Sequence, residues 1–247
     1  AIDYELHRFK QAIEDQNGEN ELIFTKCTPE DTFDYLQTGK ASAVLISLHM
    51  IPVNIPDGIT IGALSERKEI REVIFINKDA YDEQVDYRIR KGASIAIQNE
   101  RQVRSDLHFV DNKSQADAYF ANDYDEVPVD TKVVRLNPKE FLPEPGYGVY
   151  AWLTIVENIE MRKLLKNLHN KDTAVLTNIE RKVLKINSDP DLSILGVHAY
   201  GGHDGHIHLF ANALYKGNFS SGRLSQSTTV SISENMIEEL KSVPVNH

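Results

Sequence analysis

Apolar residues recur at helical spacing over residues 4–15, through Leu6, Phe9 and Ile13, and Gly18 closes the run. The apolar triplet 22–24 then predicts a short strand. A second helix is predicted with Thr28 as its cap and Pro29 in its first position. Phe33, Tyr35 and Leu36 follow, and Gly39 terminates it. The uninterrupted apolar run 43–48 has the character of a strand covered on both faces. Residues 51–58 hold two prolines and the Asp57-Gly58 pair, so they read as a loop, ahead of strands at 59–64 and 73–77.

Further on, the pattern predicts short strands at 87–90, 107–110, 116–121 and 132–136, with a helical reading for 93–103; together these suggest a second, smaller sheet. Pro138, Pro143 and Pro145 with Gly146 and Gly148 mark a connection before an apolar, β-prone run at 149–156. Helical periodicity returns at 157–168 and at 173–186, the latter through Val175, Leu176, Ile179, Val183 and Leu184. The remainder reads as strand 193–200, a turn at His203-Asp204-Gly205, strands 206–215 and 227–232, and a last helix capped by Ser233. Alternating strands and helices predict an α/β fold with a compact α+β unit at the end.

Composition changes this picture little. With 247 residues, 41% hydrophobic and 26% charged, the chain has the make-up of a folded globular protein. Charge excludes more: 27 Lys and Arg against 37 Asp and Glu leave a net charge of -10, which opposes general attraction to nucleic acid or to an anionic membrane surface. No run of about 18 apolar residues exists, and residues 1–20 lack a signal-peptide layout, so the expectation is a soluble, cytoplasmic chain. Cys27 is the sole cysteine, which rules out an internal disulfide and any multi-cysteine metal site. Its expected role is that of a small buried hydrophobe.

Two clusters have chemical potential. His198, His203, His206 and His208 fall on a predicted hairpin, with His206 and His208 on one strand face. A zinc site is conceivable there, but a solvated edge is the favoured reading and no metal is expected. Arg88, Arg90, Lys91, Arg101 and Arg104 form the one basic concentration, readable as a solvated face or as an anion site.

Several stretches resemble a known family. Residues 55–67, Ile-Pro-Asp-Gly-Ile-Thr-Ile-Gly-Ala-Leu-Ser-Glu-Arg, followed by Arg71, resemble the segment after the Ser-Leu-Lys-Asp motif of hydroxymethylbilane synthases (porphobilinogen deaminases). Ser47-Leu48-His49-Met50 stands at that motif. Residues 142–149 resemble the family's Leu-Pro-Ala-x-Gly-Gln-Gly-Ala stretch, and Glu180-Arg181 with Leu184 resembles its Glu-Arg-x-x-Leu helix. Gly196-Val197-His198-Ala199 stands where the family has Gly-Ala-Tyr-Ala. The four matches are collinear.

The resemblance implies a three-domain α/β fold: two lobes like those of periplasmic binding proteins and a small α+β C-terminal domain. The implied division is 1–85 with 146–168 for the first lobe, 86–145 for a shortened second lobe, and 172–247 for the last domain. The family condenses porphobilinogen on a dipyrromethane cofactor held through a thioether to a cysteine. Here the matching position is Asp191, so no cofactor is expected. The catalytic carboxylate that stabilises developing positive charge is replaced by Met50, and the lysine beside it by His49. The paired arginines after Gly-Thr-Ser-Ser-Leu become Ile97 and Gln98, if Gly92-Ala93-Ser94 begins that motif.

No catalytic residues are therefore assigned. His49, Ser94, Gln98 and Tyr147 are the candidate ligand-binding residues, and the expected partner is a small anionic ligand or a protein of tetrapyrrole metabolism, not nucleic acid or membrane. The leading expectation is a homologue linked to tetrapyrrole biosynthesis that does not polymerise porphobilinogen by the family route. Two alternatives stand beside it. One is an active porphobilinogen-condensing transferase of altered mechanism, with His49 as general acid or base. The other is a small-anion-binding module built on the basic concentration.

Overall fold

The computed structural model describes residues 2–15, 22–68, 72–96, 107–121, 126–138 and 141–242. Ile97, Gln98, Arg71, Arg101 and Arg104 lie outside them. The described elements begin with α1 (Ile2–Glu14), α2 (Thr32–Gln37), β1 (Val44–Ser47), β2 (Ile59–Leu64) and β3 (Val73–Asn77). They continue with β4 (Ser94–Ala96), β5 (His108–Val110), β6 (Ala118–Ala121), β7 (Thr131–Arg135) and β8 (Tyr150–Ile155). Then come α3 (Ile159–Lys166), α4 (Lys171–Ile186), β9 (Leu192–Gly201), β10 (Ile207–Tyr215), β11 (Asn218–Gln226) and α5 (Ile232–Ser242). The result is a mixed α/β protein with three sheets and five helices among the described residues. No described helix is long and apolar enough to cross a membrane.

The first sheet has the order β1-β8-β2, with β8 antiparallel to both neighbours. Side chains alternate across a strand, so Ala151 and Leu153 face one cluster with Leu36 and Leu48, while Trp152 faces another with Phe9 and Leu165. Phe9 of α1 stacks on the Trp152 ring at 4.4 Å. The second sheet has the order β5-β4-β6-β3-β7 around Ile74, Ile76, Ile95 and Ala118. The third is an antiparallel meander, β11-β10-β9, and its Val197, Leu209 and Ala211 pack on Val183 of α4 and Met236 of α5.

Several elements differ from the pattern-based expectation. Residues 22–24 are not a strand: Ile23 is 79% exposed and Phe24 50%, because apolar content alone supplies no hydrogen-bonding neighbour. β1 is an edge strand, only half buried, not one covered on both faces. α2 starts at Thr32, with Thr28 and Asp31 bonded to one another in the preceding turn. Residues 87–90 are not a strand either; Tyr87 and Arg88 both take φ near +58° in a tight turn closed by a Tyr81–Ile89 bridge. Within the stretch read as helix 93–103, Ser94–Ala96 is β4. The second sheet is the larger one, since β3 pairs with β6 and β7 and not with the first sheet. The last strand is Asn218–Gln226, starting nine positions and ending six before the expected 227–232, with Ser221, Arg223 and Ser225 exposed between covered Ser220, Gly222 and Leu224. Ser233 lies inside α5 and donates to the Ile179 carbonyl.

The crossing segment 142–148 is wedged among these units. A Cβ at Gly196 would overlap the Leu142 carbonyl oxygen, and the Val197 N–H donates to the Pro143 carbonyl at 3.1 Å. Gly196→Ala is therefore expected to lower the unfolding free energy by about 1–3 kcal/mol through overpacking. Gly201→Ala, with nothing within 4 Å of the added carbon, should stay within about 0.5 kcal/mol of the parent. Urea unfolding of the two variants side by side checks both.

Candidate functional site

Glu180 falls on the same face of α4 as Thr173, Thr177 and Val183, all of them buried, so this helix places a carboxylate inside the protein. A buried charge needs partners, and four groups supply them. Arg67, just beyond β2, donates to both carboxylate oxygens at 2.7 and 2.8 Å. The Gly146 N–H reaches Oε2 at 2.8 Å, and the Ala199 N–H reaches Oε1 at 2.7 Å. His198 Nδ1 lies 3.4 Å from Oε1. One carboxylate thus ties together the end of β2, the crossing segment, α4 and β9.

Gly146 can serve because φ is +84° there and a Cβ would come within 2.8 Å of Leu48 Cγ. Burial alone would push the Glu180 carboxyl up. Hydrogen-bond contacts with His198 and Arg67, the Arg67 charge and the Ala199 N–H outweigh it and hold the group below the usual carboxylate range. His198 Nδ1 is also 3.0 Å from Arg67 Nη1. Whether Nδ1 donates to Glu180 or accepts from Arg67 depends on the ring's tautomer, whereas the forked Arg67 contact with both carboxylate oxygens holds in either case.

The next residue, Arg181, points to the other side of α4. Its Nη1 donates to the carbonyls of Leu48 at 3.3 Å and Ile51 at 2.8 Å, and its Nη2 to that of Pro52 at 2.7 Å. Burial pushes the guanidinium below its ordinary value, yet an arginine remains charged. Arg181 lines a cavity of about 460 Å³ with His49, Glu144, Leu184, Ser193 and Ile194 among its other walls. That volume lies in the range of small-molecule sites.

The positions singled out from sequence separate into two groups. His49 and Tyr147 come together, with ring centroids 5.1 Å apart, and His49 lines the cavity. Met50, beside it, is 48% exposed. Asp191 lies just before Ser193, exposed, with its N–H on Asp189 and its carbonyl accepting from Lys216. Ser94 belongs to the second sheet, where its N–H and hydroxyl both engage Asp117. Gln98 lies outside the described residues. The histidine hairpin gathers only around Asp204, 3.3 Å from His206 and 3.6 Å from His208, and no metal-holding group of three or more is found among the described residues.

Arg181 was not among the candidate residues. The available signal was a charged pair at the turn of α4 where the apolar face continues.

Glu180→Gln leaves Arg67 buried without a counter-charge and is expected to destabilise the protein by about 3–5 kcal/mol in urea unfolding. A carboxyl depressed in the folded state contributes stability that is fully present above its unfolded value, near 4.5, and is lost as pH falls through the lower folded value. Melting temperature should therefore drop below about pH 4.5 with a component that the Gln variant lacks.

No family model matches the chain. Porphobilinogen deaminase of Chloroherpeton thalassium is 26% identical over 175 residues, covering 62% of this chain and 54% of that protein. The porphobilinogen deaminases of Syntrophobacter fumaroxidans and Chlorobium phaeobacteroides are 24% and 25% identical over 170 and 185 residues, covering 62% and 66% of this chain. The chain spans about half the length of these curated relatives, 54–56%. Among solved structures, YhfZ from Shigella flexneri superposes with a TM-score of 0.35 at 11% identity, over 67% of this chain and 82% of that one. By these sequence matches, the chain is a distant relative of the porphobilinogen deaminases.

Proposed function

We propose that this chain is a ligand-binding relative of the porphobilinogen deaminases, linked to tetrapyrrole metabolism, that neither carries a dipyrromethane group nor polymerises porphobilinogen by the family route. The observation that carries this reading is Asp191. A thioether needs a sulfur, and the residue at the attachment position offers a carboxylate. The chain's only thiol, Cys27, packs beside the first sheet's core instead of near β9. The residues present do not fit a thioether-held group.

Met50 in place of the motif's carboxylate supports the same reading, as a thioether cannot stabilise a developing cation as an anion does. Charged hydrogen bonds are worth about 1.5–3 kcal/mol each, so Ile97 and Gln98 in place of arginines would weaken a hold on polycarboxylates. The cavity beside His49 gives such a relative a place for a ligand.

The proposed organisation is two lobes and a terminal α+β unit. The pairing of β3 with β6 and β7 favours a first lobe that ends near residue 68, not 85, and resumes at 146–168. Residues 172–242 then form the terminal unit, with α4 and α5 on its sheet.

Incubation with porphobilinogen, followed by an acidic aldehyde reagent for pyrroles, should leave the protein colourless and its intact mass unchanged. A coloured protein heavier by a dipyrrole would overturn the proposal. The contact between His49 and Tyr147 at the cavity favours one second reading, an altered condensing activity with His49 in acid–base work. In that case uroporphyrinogen would form with the parent protein and fail to form with His49→Ala.

A further inference from the structure

Arg181 has five N–H donors, and its hydrogen bonds to Leu48, Ile51 and Pro52 account for three. Its Nε–H and one Nη2–H have no protein acceptor among the described residues. All three acceptors are neutral carbonyls, and no carboxylate within the described residues forms an ion pair with Arg181. Glu180, adjacent in sequence and pointing in a different direction from the helix, is committed to Arg67. A partly buried cation without an ion-pair partner among the described residues therefore borders a cavity of about 460 Å³.

The other walls restrict what can enter. Ile51, Pro52, Val53, Leu184 and Ile194 are apolar and suit a hydrocarbon body. Arg181 is the one lysine or arginine lining the cavity among the described residues, so a second carboxylate on the ligand would find no counter-charge there. The chain's net charge of -10 adds to that discrimination. Arg181 then supplies a planar fork of N–H donors for a single carboxylate.

We infer that this cavity is a site for a small apolar monocarboxylic acid, its carboxylate on Arg181 and its hydrocarbon part against Val53, Leu184 and Ile194. The inference rests on the reading of the cavity as the ligand site, and it assigns that ligand a chemistry unlike that of a polycarboxylate chain. The three carbonyl bonds hold the guanidinium in place before the ligand arrives, so little ordering remains to be done on binding. His49 and Ser193 add polar groups to the wall.

Phenylacetate, citrate and inorganic phosphate, titrated calorimetrically at equal ionic strength, test this. Phenylacetate should bind with one-to-one stoichiometry, and citrate and phosphate should give no saturable heat. Arg181→Lys keeps the charge and loses the fork, so it should weaken phenylacetate roughly tenfold or more. Because that variant also disturbs the 48–52 turn, Val53→Phe serves as a second probe; it narrows the cavity without touching the guanidinium and should weaken binding too. Phenylacetate affinity unchanged in both variants, or no binding at about 10 mM, overturns the inference. Citrate binding that depends on Arg181 overturns the single-carboxylate assignment while leaving a ligand site in the cavity. A covalently held dipyrrole in the porphobilinogen assay would instead strike at the functional reading, and the two failures are separable.

Discussion

The carboxylate of Glu180 is 1% exposed, and the arrangement of the chain around it follows from the need to satisfy that one buried charge. An isolated carboxylate in an apolar interior is prohibitively costly, so the fold must deliver donors to it from wherever they lie in sequence. They come from Arg67, Gly146 and Ala199, separated from Glu180 by 113, 34 and 19 residues. Replacing such a pair with apolar groups can be neutral for stability, but removing one partner is not. The ion pair therefore acts chiefly as a registry device. It has one satisfied geometry, and that geometry brings the end of the first sheet, the crossing segment and the terminal unit together.

Backbone contacts repeat the registry at close quarters. Leu48 N–H donates to the Val149 carbonyl, Lys68 N–H to that of Gly148, and Val197 N–H to that of Pro143. The crossing segment is thus bound on both sides, which leaves little room for side chains and accounts for glycine at 146 and 196. Arg181, pointing in a different direction from α4, holds the 48–52 turn through its carbonyls. Because helical neighbours i and i+1 are about 100° apart, consecutive residues can grip different parts of the chain. The cavity beside His49 is the space left where these two grips diverge.

Much of this was legible in sequence, and the failures have physical causes. Helices α1, α3, α4 and α5 declare themselves by period, because each buries one stripe, and the strands at 59–64, 73–77 and 150–155 by short apolar runs bounded by turn residues. The false strand at 22–24 had the apolar content and no neighbour to pair with. The true β11 was passed over because only alternate residues are covered, with Gly222 placed against Met236 in the core. The turn at Tyr87 and Arg88 needs left-handed backbone at two residues that rarely adopt it, which no local propensity predicts. Sheet membership of β3 is a long-range property, and nothing in residues 73–77 encodes which strands lie beside them. At the site, His49 and Tyr147 were found through their motif positions, whereas Arg181 was hidden because its acceptors are backbone carbonyls, and those have no sequence signature.

The buried clamp and the exposed positions are under different physical constraints. Arg67, Gly146, Glu180 and Gly196 all lie in the stretches that resemble the deaminases, and each is held by buried partners or by lack of space. A change at any of them leaves an unpaired charge or a steric overlap, at a cost comparable to a sizeable fraction of a domain's total stability. Met50 and Asp191, at the positions of the family's carboxylate and cysteine, are exposed and anchor no buried group. Substitution there costs the fold little. Stability therefore constrains the clamp far more tightly than it constrains Met50 and Asp191, and the proposed absence of a thioether-held group carries little cost to the fold.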